Sequence, residues 1–495
     1  MGTKYWKNYK GTQYDDYNNQ GLFLYNSQVD ARYIEQDEPT FKGNLLIEAL
    51  PPVLNFEQLF ERVREFPIYA DSECDYSKEY RLGAIGRLEK YVLPLSQYQE
   101  IHNKISIVMR NGYVGKKIME PKFIKDLNNS SKLVKSTNKE LEEYQEAKCM
   151  IRNDLGAQYG FSVFGISGAG KTTALNKILC IYPQCIVHTG TDDNRYLFKQ
   201  VPWIKIDCSH NGTVKGLCQN FFSKMDEVLG TNYLKQYGGR GFSINRMLVS
   251  MTHVAQKHAL GVLVIDEIQH LANSKGKAGN ALDFFVTLMN EIKIPIINIG
   301  TYKAVQHVLA KEFTQARRSS GLGEVEFIHI EQGSEGEWDY FIEHLWNYQW
   351  TKEKVDITDE FKHVMYEETM GIPDRVVKLF MASQIRAILD EKERLTTDLI
   401  KKVAQKHSVE NLYENKKYTL EQKEKIKRIR KEQKEKKFKK KRDLINNIVF
   451  YFSQLGYEYK FLYKIAENTV NRYGADEDIE SLKRKVAEVI FHKNN

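Results

Sequence analysis

The chain lacks any apolar run near the eighteen or so residues that a membrane-spanning helix requires. Its opening residues, Met1-Gly-Thr-Lys-Tyr-Trp-Lys-Asn-Tyr, contain no hydrophobic signal core, and Trp6 stands where N-myristoylation wants Ser or Thr. Membrane insertion, secretion and that lipid anchor are set aside, and a cytoplasmic location is expected. Cysteine is scarce, with six in 495 residues (Cys74, Cys149, Cys180, Cys185, Cys208 and Cys218) and no CxxC pair. This argues against a disulfide scaffold or a zinc site and for buried, reduced thiols. Internal repeats are absent. Basic charge is scarce too outside one place. The formal net charge is +8, yet Gln422 to Arg442 alone holds thirteen Lys/Arg against three acidic residues, so the remainder is slightly acidic. That run suits either a polyanionic partner or a solvated charged helix.

What the chain does have is Gly165-Ile-Ser167-Gly168-Ala169-Gly170-Lys171-Thr172-Thr173, a full GxxxxGK[ST] phosphate loop. It follows the apolar run Phe161-Ser-Val-Phe and precedes an amphipathic stretch from Thr172 to Ile181, which predicts strand, loop and helix. Backbone N–H groups of the glycine-rich turn and the positive end of the helix would face phosphates. Lys171 would reach the β and γ phosphates of ATP, and the Thr172 hydroxyl would bind Mg²⁺. About ninety residues on, Val262-Leu-Val-Ile-Asp266-Glu267 reads as a strand buried on both faces that delivers two acids at its carboxyl end. Asp266 would hold the Mg²⁺, and Glu267 would act as general base toward a water. A kinase has no use for a water activator, so hydrolysis is favoured over transfer.

Strands are expected at 203–207, 262–266, 294–299 and 324–330, and helices at 213–228, 243–258, 281–292 and 302–311. Such alternation means a parallel sheet wrapped by helices. From Trp338 to about His407 the pattern is helix after helix, the arrangement of a helical lid after an α/β core. The expected division is an N-terminal arm and partner-docking region at 1–100, an AAA+ α/β ATPase core at 101–335, a lid at 336–410 and a basic helical extension at 411–495. Residues 1 to about 40 read as a flexible arm or a partner-ordered segment.

Weaker signals flank this core. Thr301, at the end of the 294–299 strand, suits a sensor of the γ-phosphate or a plain helix N-cap, with Asn298 as a rival. Arg317 and Arg318 precede a flexible Ser-Ser-Gly-Leu-Gly stretch, where an arginine finger or a surface pair would look alike. Arg375, in Gly-Ile-Pro-Asp-Arg, is a candidate second sensor on the lid. Ser209, His210, Asn211, Thr213 and Lys215, with Lys235, Arg240 and Arg246 around the Gly238-Gly239 turn, could grip a nucleic-acid backbone or be ordinary surface loops.

With these residues assembled, the chain resembles the TnsC-type AAA+ ATPases, target-selection regulators of heteromeric cut-and-paste transposons related to MuB and TniB. The resemblance runs from about Asn44 to Phe380. It rests on Ile-Glu-Ala-Leu-Pro-Pro at 47–52, Ile-Ser-Ile-Val-Met-Arg-Asn-Gly-Tyr-Val-Gly at 105–115, Lys-Ile-Asp-Cys-Ser-His-Asn-Gly at 205–212, Leu-Val-Ile-Asp-Glu-Ile-Gln-His-Leu at 263–271 and Ala-Arg-Arg at 316–318. It implies a bacterial, DNA-associated protein that binds double-stranded DNA with little base preference as a ring or filament of identical subunits. It also implies partners: transposase subunits and a target-site selection protein of the TnsD/TniQ type. Gly112, Tyr113 and Val114 would then line the adenine pocket, and the loop before Lys215 would face DNA. A replication initiator or helicase loader shares the core motifs, and a nucleotide-locked protein scaffold that never hydrolyses is the reading from another class.

Overall fold

The computed structural model describes residues 22–118, 120–136, 160–189, 197–208, 213–239, 241–272, 294–301, 321–332 and 336–407, together with 442, 444–449, 451–452, 459–473 and 479–493. The chain divides into two compact units, 1–407 and 408–495.

Eight strands run through the described part of the first unit: β1 (Gln28–Asp30), β2 (Phe161–Gly165), β3 (Cys185–Thr189), β4 (Leu197–Gln200), β5 (Trp203–Asp207), β6 (Val262–Asp266), β7 (Ile296–Gly300) and β8 (Glu324–Phe327). Five of them form a parallel sheet in the order β5-β6-β7-β2-β8. The register explains the two cores. Trp203 pairs with Val262 and Ile204 with Leu263, so alternate residues go to opposite faces. Ile204, Ile206, Leu263, Ile265 and Phe164 pack under the helices Val214–Leu229 and Ile244–Lys257. Trp203, Val262, Val264, Val163, Ile297 and Ile299 pack under the helices Ser96–Tyr113 and Lys171–Leu179. Both faces being covered, these strands read as near-continuous apolar runs.

A second sheet, β1-β3-β4, departs from expectation. Residues 22–31 of the segment expected as a flexible arm or a partner-ordered segment dock here, and residues 1–21 lie outside the described residues. The β1 strand lies parallel to β3, Phe23 N–H donates to Cys180 O at 2.7 Å and Ala31 N–H to Val187 O at 2.8 Å. Three residues of strand with alternating exposure carry too little pattern to be read locally, and only pairing with β3 defines them. Residues 46–63 likewise join the sheet core through Leu46, Ile47, Leu50, Leu59 and Val63.

The helices Glu337–Trp346, Asp359–Thr369, Pro373–Leu389 and Thr397–His407 make a lid with its own core. Its last sequence signals are physical: Thr358 caps the second helix by accepting from Phe361 N–H, and Pro373 opens the third with its pre-set φ. A strap at 66–95 is welded to this lid. Buried Arg81 donates to both carboxylate oxygens of Glu393, at 2.6 and 2.7 Å, and to Trp350 O at 2.9 Å. Glu73 accepts from Trp350 Nε1 at 2.8 Å and from Arg87 at 2.9 Å, and Tyr91 shares a hydrogen bond with His344 at 3.0 Å.

The second unit is helical, with Tyr459–Tyr473 and Ile479–Lys493 packing around Ile448, Leu462, Ala466 and Val486. Most of the basic run lies outside the described residues. Cys74, Cys180, Cys185, Cys208 and Cys218 are buried and unpaired; Cys149 lies outside the description. Among the described residues no helix is long and apolar enough to cross a membrane.

Candidate functional site

At the carboxyl edge of the five-stranded sheet the loop after β2 wraps a cleft of about 860 Å³. Its turn depends on glycine. Gly165 sits so close to β8 that a Cβ there would lie 1.8 Å from Phe327 O, and Gly168 and Gly170 hold φ of +81° and +90°. Gly170 is the N-terminal boundary of the helix Lys171–Leu179, whose amino end therefore opens on the cleft. Lys171 is folded back, Nζ donating to Gly165 O at 3.1 Å and to Ile166 O at 2.7 Å. Burial pushes its ammonium down to about 8, although Glu267 and Asp266 pull the other way.

Across the cleft, β6 delivers its acids. Asp266 is 3% exposed; its Oδ2 accepts from Thr172 Oγ1 at 3.3 Å and pairs with Lys205 Nζ at 3.0 Å, while Oδ1 takes Glu267 N–H at 2.8 Å. Glu267 has a left-handed φ of 56°, which turns its half-exposed side chain off the strand line and into the cleft. Gln269 is the pivot beside it: its amide donates to Glu267 Oε2, and its Oε1 accepts from Thr301 N–H at 3.3 Å. Mg²⁺ asks for hard oxygen donors and is usually held by one or two carboxylates together with substrate phosphates. The Thr172 hydroxyl and the Asp266 carboxylate, meeting at the mouth of the phosphate loop, are a donor set that fits.

The remaining walls come from the strap and the lid. Tyr91, Val92, Leu93, Leu95 and Tyr98 form one side. Pro373, Asp374, Val377, Lys378, Met381 and Ile385 form the other, one stripe of the lid helix at helical spacing. The lid touches the loop directly, Asp374 N–H donating to Gly168 O at 3.2 Å.

Two groups named from the sequence lie away from this cleft. Gly112, Tyr113 and Val114 do not line this cleft. The helix that carries them continues through Tyr113, whose hydroxyl donates to Ala259 O at 2.9 Å just before β6 begins, and Gly112 packs on Pro295 before β7. They sit at the amino ends of the strands, the edge opposite the phosphate loop. Arg375 is not on the cleft wall either, because the stripe of 373/374, 377/378 and 381 leaves position 375, about 200° around the helix from Pro373, on another face; Lys378, a turn on from Asp374 and ion-paired to it at 2.9 Å, is the lid cation that lines the cleft. Thr301 lines the cleft. Asn298 pairs in register with Ile265 and Ser162, whose side chains take the other face of the sheet.

Of the other named residues, Arg317, Arg318, Ser209, His210, Asn211 and Arg240 lie outside the described residues. Thr213 caps the helix Val214–Leu229, accepting from Gly216 N–H. Lys215 Nζ donates to Phe242 O at 3.3 Å and the Arg246 guanidinium lies 5.5 Å from the centre of the Phe242 ring, so two cations converge on one loop; Lys235 is exposed nearby in sequence. Sequence reasoning missed Lys205, Gln269, Lys378 and the strap. Lys205 had a local signal, a lone ammonium inside an apolar strand; the strap had none.

Residues 156–309 match the family model described as an AAA domain. No curated protein matches the chain. Among solved structures, the chain is similar to the Walker-type ATPase PABY2304 of Pyrococcus abyssi, at 14% identity and a TM-score of 0.34 over 64% of this chain and 79% of that one. It is also similar to the Aeropyrum pernix ORC1 protein in complex with DNA (14%, TM-score 0.32, 68% and 78%) and to Drosophila ORC bound to DNA (11%, TM-score 0.30, 74% and 84%).

Proposed function

We propose, from the premise of an α/β AAA+ P-loop core with a helical lid, that this chain is an ATP-hydrolysing switch that assembles on double-stranded DNA and regulates transposition. One observation carries the ATPase part: Lys171, Thr172, Asp266, Glu267 and Thr301 line a single cleft between a glycine loop and a lid. Bound Mg²⁺ would supply neutralisation of phosphate charge, held by Thr172 and Asp266. Lys171 would exchange its two loop carbonyls for phosphate oxygens. Glu267 would take a proton from the water that attacks the terminal phosphorus as the bond to ADP breaks, with Gln269 and Thr301 fixing where that carboxylate points. The apolar strap and lid stripe would enclose the base.

The DNA and transposition part is supported by the motif strings from 47 to 318 and by the Lys215–Phe242–Arg246 cluster, whose cations suit backbone contacts rather than base readout. Arg317 or Arg318 of a neighbouring subunit would complete the site, so that ATP stabilises the assembly by mass action. Many weak phosphate contacts then act together. Transposase subunits and a TnsD/TniQ-type protein are the partners this reading names.

The test is DNA binding by the purified chain with a non-hydrolysable ATP analogue, ADP or no nucleotide, on unrelated duplexes, with particles imaged from the same samples. Analogue-dependent, sequence-tolerant binding that falls steeply with salt, with rings or filaments on the duplex, is the expected result. Absence of DNA binding in every nucleotide state would redirect the reading to a protein-directed switch, and co-purification with a helicase would favour a loader.

A further inference from the structure

Lys205 is the anomaly of β5. Its strand neighbours Trp203, Ile204 and Ile206 are buried, and it shares their setting, with a side chain 13% exposed. In register it pairs with Val264, and Asp207 pairs with Asp266, so Lys205 and Asp266 take the same face of the sheet. A buried ammonium persists only when paired. Its partner is Asp266 Oδ2, at 3.0 Å, and that same oxygen accepts the Thr172 hydroxyl. The oxygen aimed at the metal donor Thr172 is therefore already shared with a positive charge. A second acid waits beside it: Asp207 Oδ1 lies 3.8 Å from the same Nζ, on a side chain that is 68% exposed.

We infer that Lys205 is a positioning residue that sets how strongly nucleotide binding depends on Mg²⁺. It serves as the counter-ion of Asp266 in the metal-free site and shifts toward Asp207 when the divalent ion takes Oδ2. The inference rests on the proposed nucleotide site. Two like charges cannot share one carboxylate oxygen without mutual repulsion, so Lys205 competes with the metal. Without Lys205, the bare Asp266 carboxylate would repel a metal-free triphosphate and attract Mg²⁺ more strongly. A four-carbon stem anchored on a strand lets the ammonium swing between two carboxylates that sit opposite each other on neighbouring strands without moving the backbone.

The experiment measures the affinity of a fluorescent ATP analogue in EDTA and across a Mg²⁺ titration, for the full chain and its variants, with thermal melting alongside. Lys205→Met should weaken metal-free binding and lower the Mg²⁺ concentration for half-saturation, raising the ratio of the two dissociation constants at least tenfold. Lys205→Arg should return the ratio toward that of the natural chain. Asp207→Asn should act in the opposite sense, raising the Mg²⁺ half-saturation point several-fold because Lys205 loses its alternative partner. A pair that only supports the fold would lower the melting temperature of Lys205→Met and leave the ratio within twofold, which would overturn the inference. If Lys205→Met does not fold, Asp207→Asn decides alone, and an unchanged half-saturation point sinks it. No analogue binding by the natural chain under either condition would remove the nucleotide site itself, and the inference with it.

Discussion

Arg81 offers the sharpest test of how the cleft is held together, because it is far from the phosphates in sequence and yet decides where the strap lies. Its side chain is 2% exposed and makes a two-pronged bond to Glu393 plus bonds to Trp350 O and to Tyr76 O at 3.2 Å. Arg81→Met keeps the stem and removes the fork, leaving Glu393 and two carbonyls short of their donor. Breaking one partner of such a pair costs about 3–5 kcal/mol, which is about two-hundred- to five-thousand-fold in the folding equilibrium of this corner. Urea unfolding followed by tryptophan fluorescence suits the site, because Trp338, Trp346 and Trp350 all lie in the lid core. The strap residues Tyr91 to Leu95 line the cleft, so nucleotide affinity should fall several-fold in the same variant. Glu393→Gln should also destabilise, and the double variant should lose less than the two single losses added, by about 2 kcal/mol. A loss below about 1 kcal/mol with nucleotide affinity unchanged would refute the claim that this ion pair fastens the strap.

Three further expectations follow from the same geometry. Glu267→Gln should retain ATP and lower phosphate release by about 10² to 10⁴, persisting on DNA; rapid release of DNA by this variant counts against hydrolysis as the trigger. Lys171→Ala should lose nucleotide binding, measured by equilibrium dialysis with labelled ATP, and with it the nucleotide-dependent DNA binding; full retention of ATP would mean that the parked lysine never leaves its carbonyls. Buried His102 accepts Leu54 N–H on Nε2, and burial, reinforced by Arg110 and Arg62, holds its pKa down to about 4. The unfolded chain therefore binds the extra proton first, so stability present above pH 6.5 is lost as pH falls toward 4, by up to about 3 kcal/mol. His102→Gln keeps the acceptor and should flatten the acid limb of a stability-against-pH curve, and an unaltered slope would disprove the role.

The phosphate loop, the acidic end of β6 and the strand–helix alternation were legible in the linear chain because their physics is local. A glycine turn between an apolar strand and a helix has few other uses, and strands covered on both faces must be apolar throughout. Thr301 could be named for the same reason, as the residue just past a buried strand. The base side of the cleft was not legible. Tyr91 to Leu95 and the stripe from Asp374 to Ile385 are nearly three hundred residues apart in sequence, and nothing in either segment announces the other; the Arg81–Glu393 and Glu73–Trp350 bonds bring them together. Gly112 and Tyr113 were named from the family resemblance alone, and packing against Pro295 and Ala259 holds them at the far edge of the sheet, a placement no local pattern shows. The sequence by itself determined which groups could touch phosphate. Only the tertiary structure decided that Lys205 stands on Asp266, that Lys378 rather than Arg375 lines the cleft, and that Tyr91 to Tyr98 help to wall it, because each depends on which face of a strand or helix a neighbour covers.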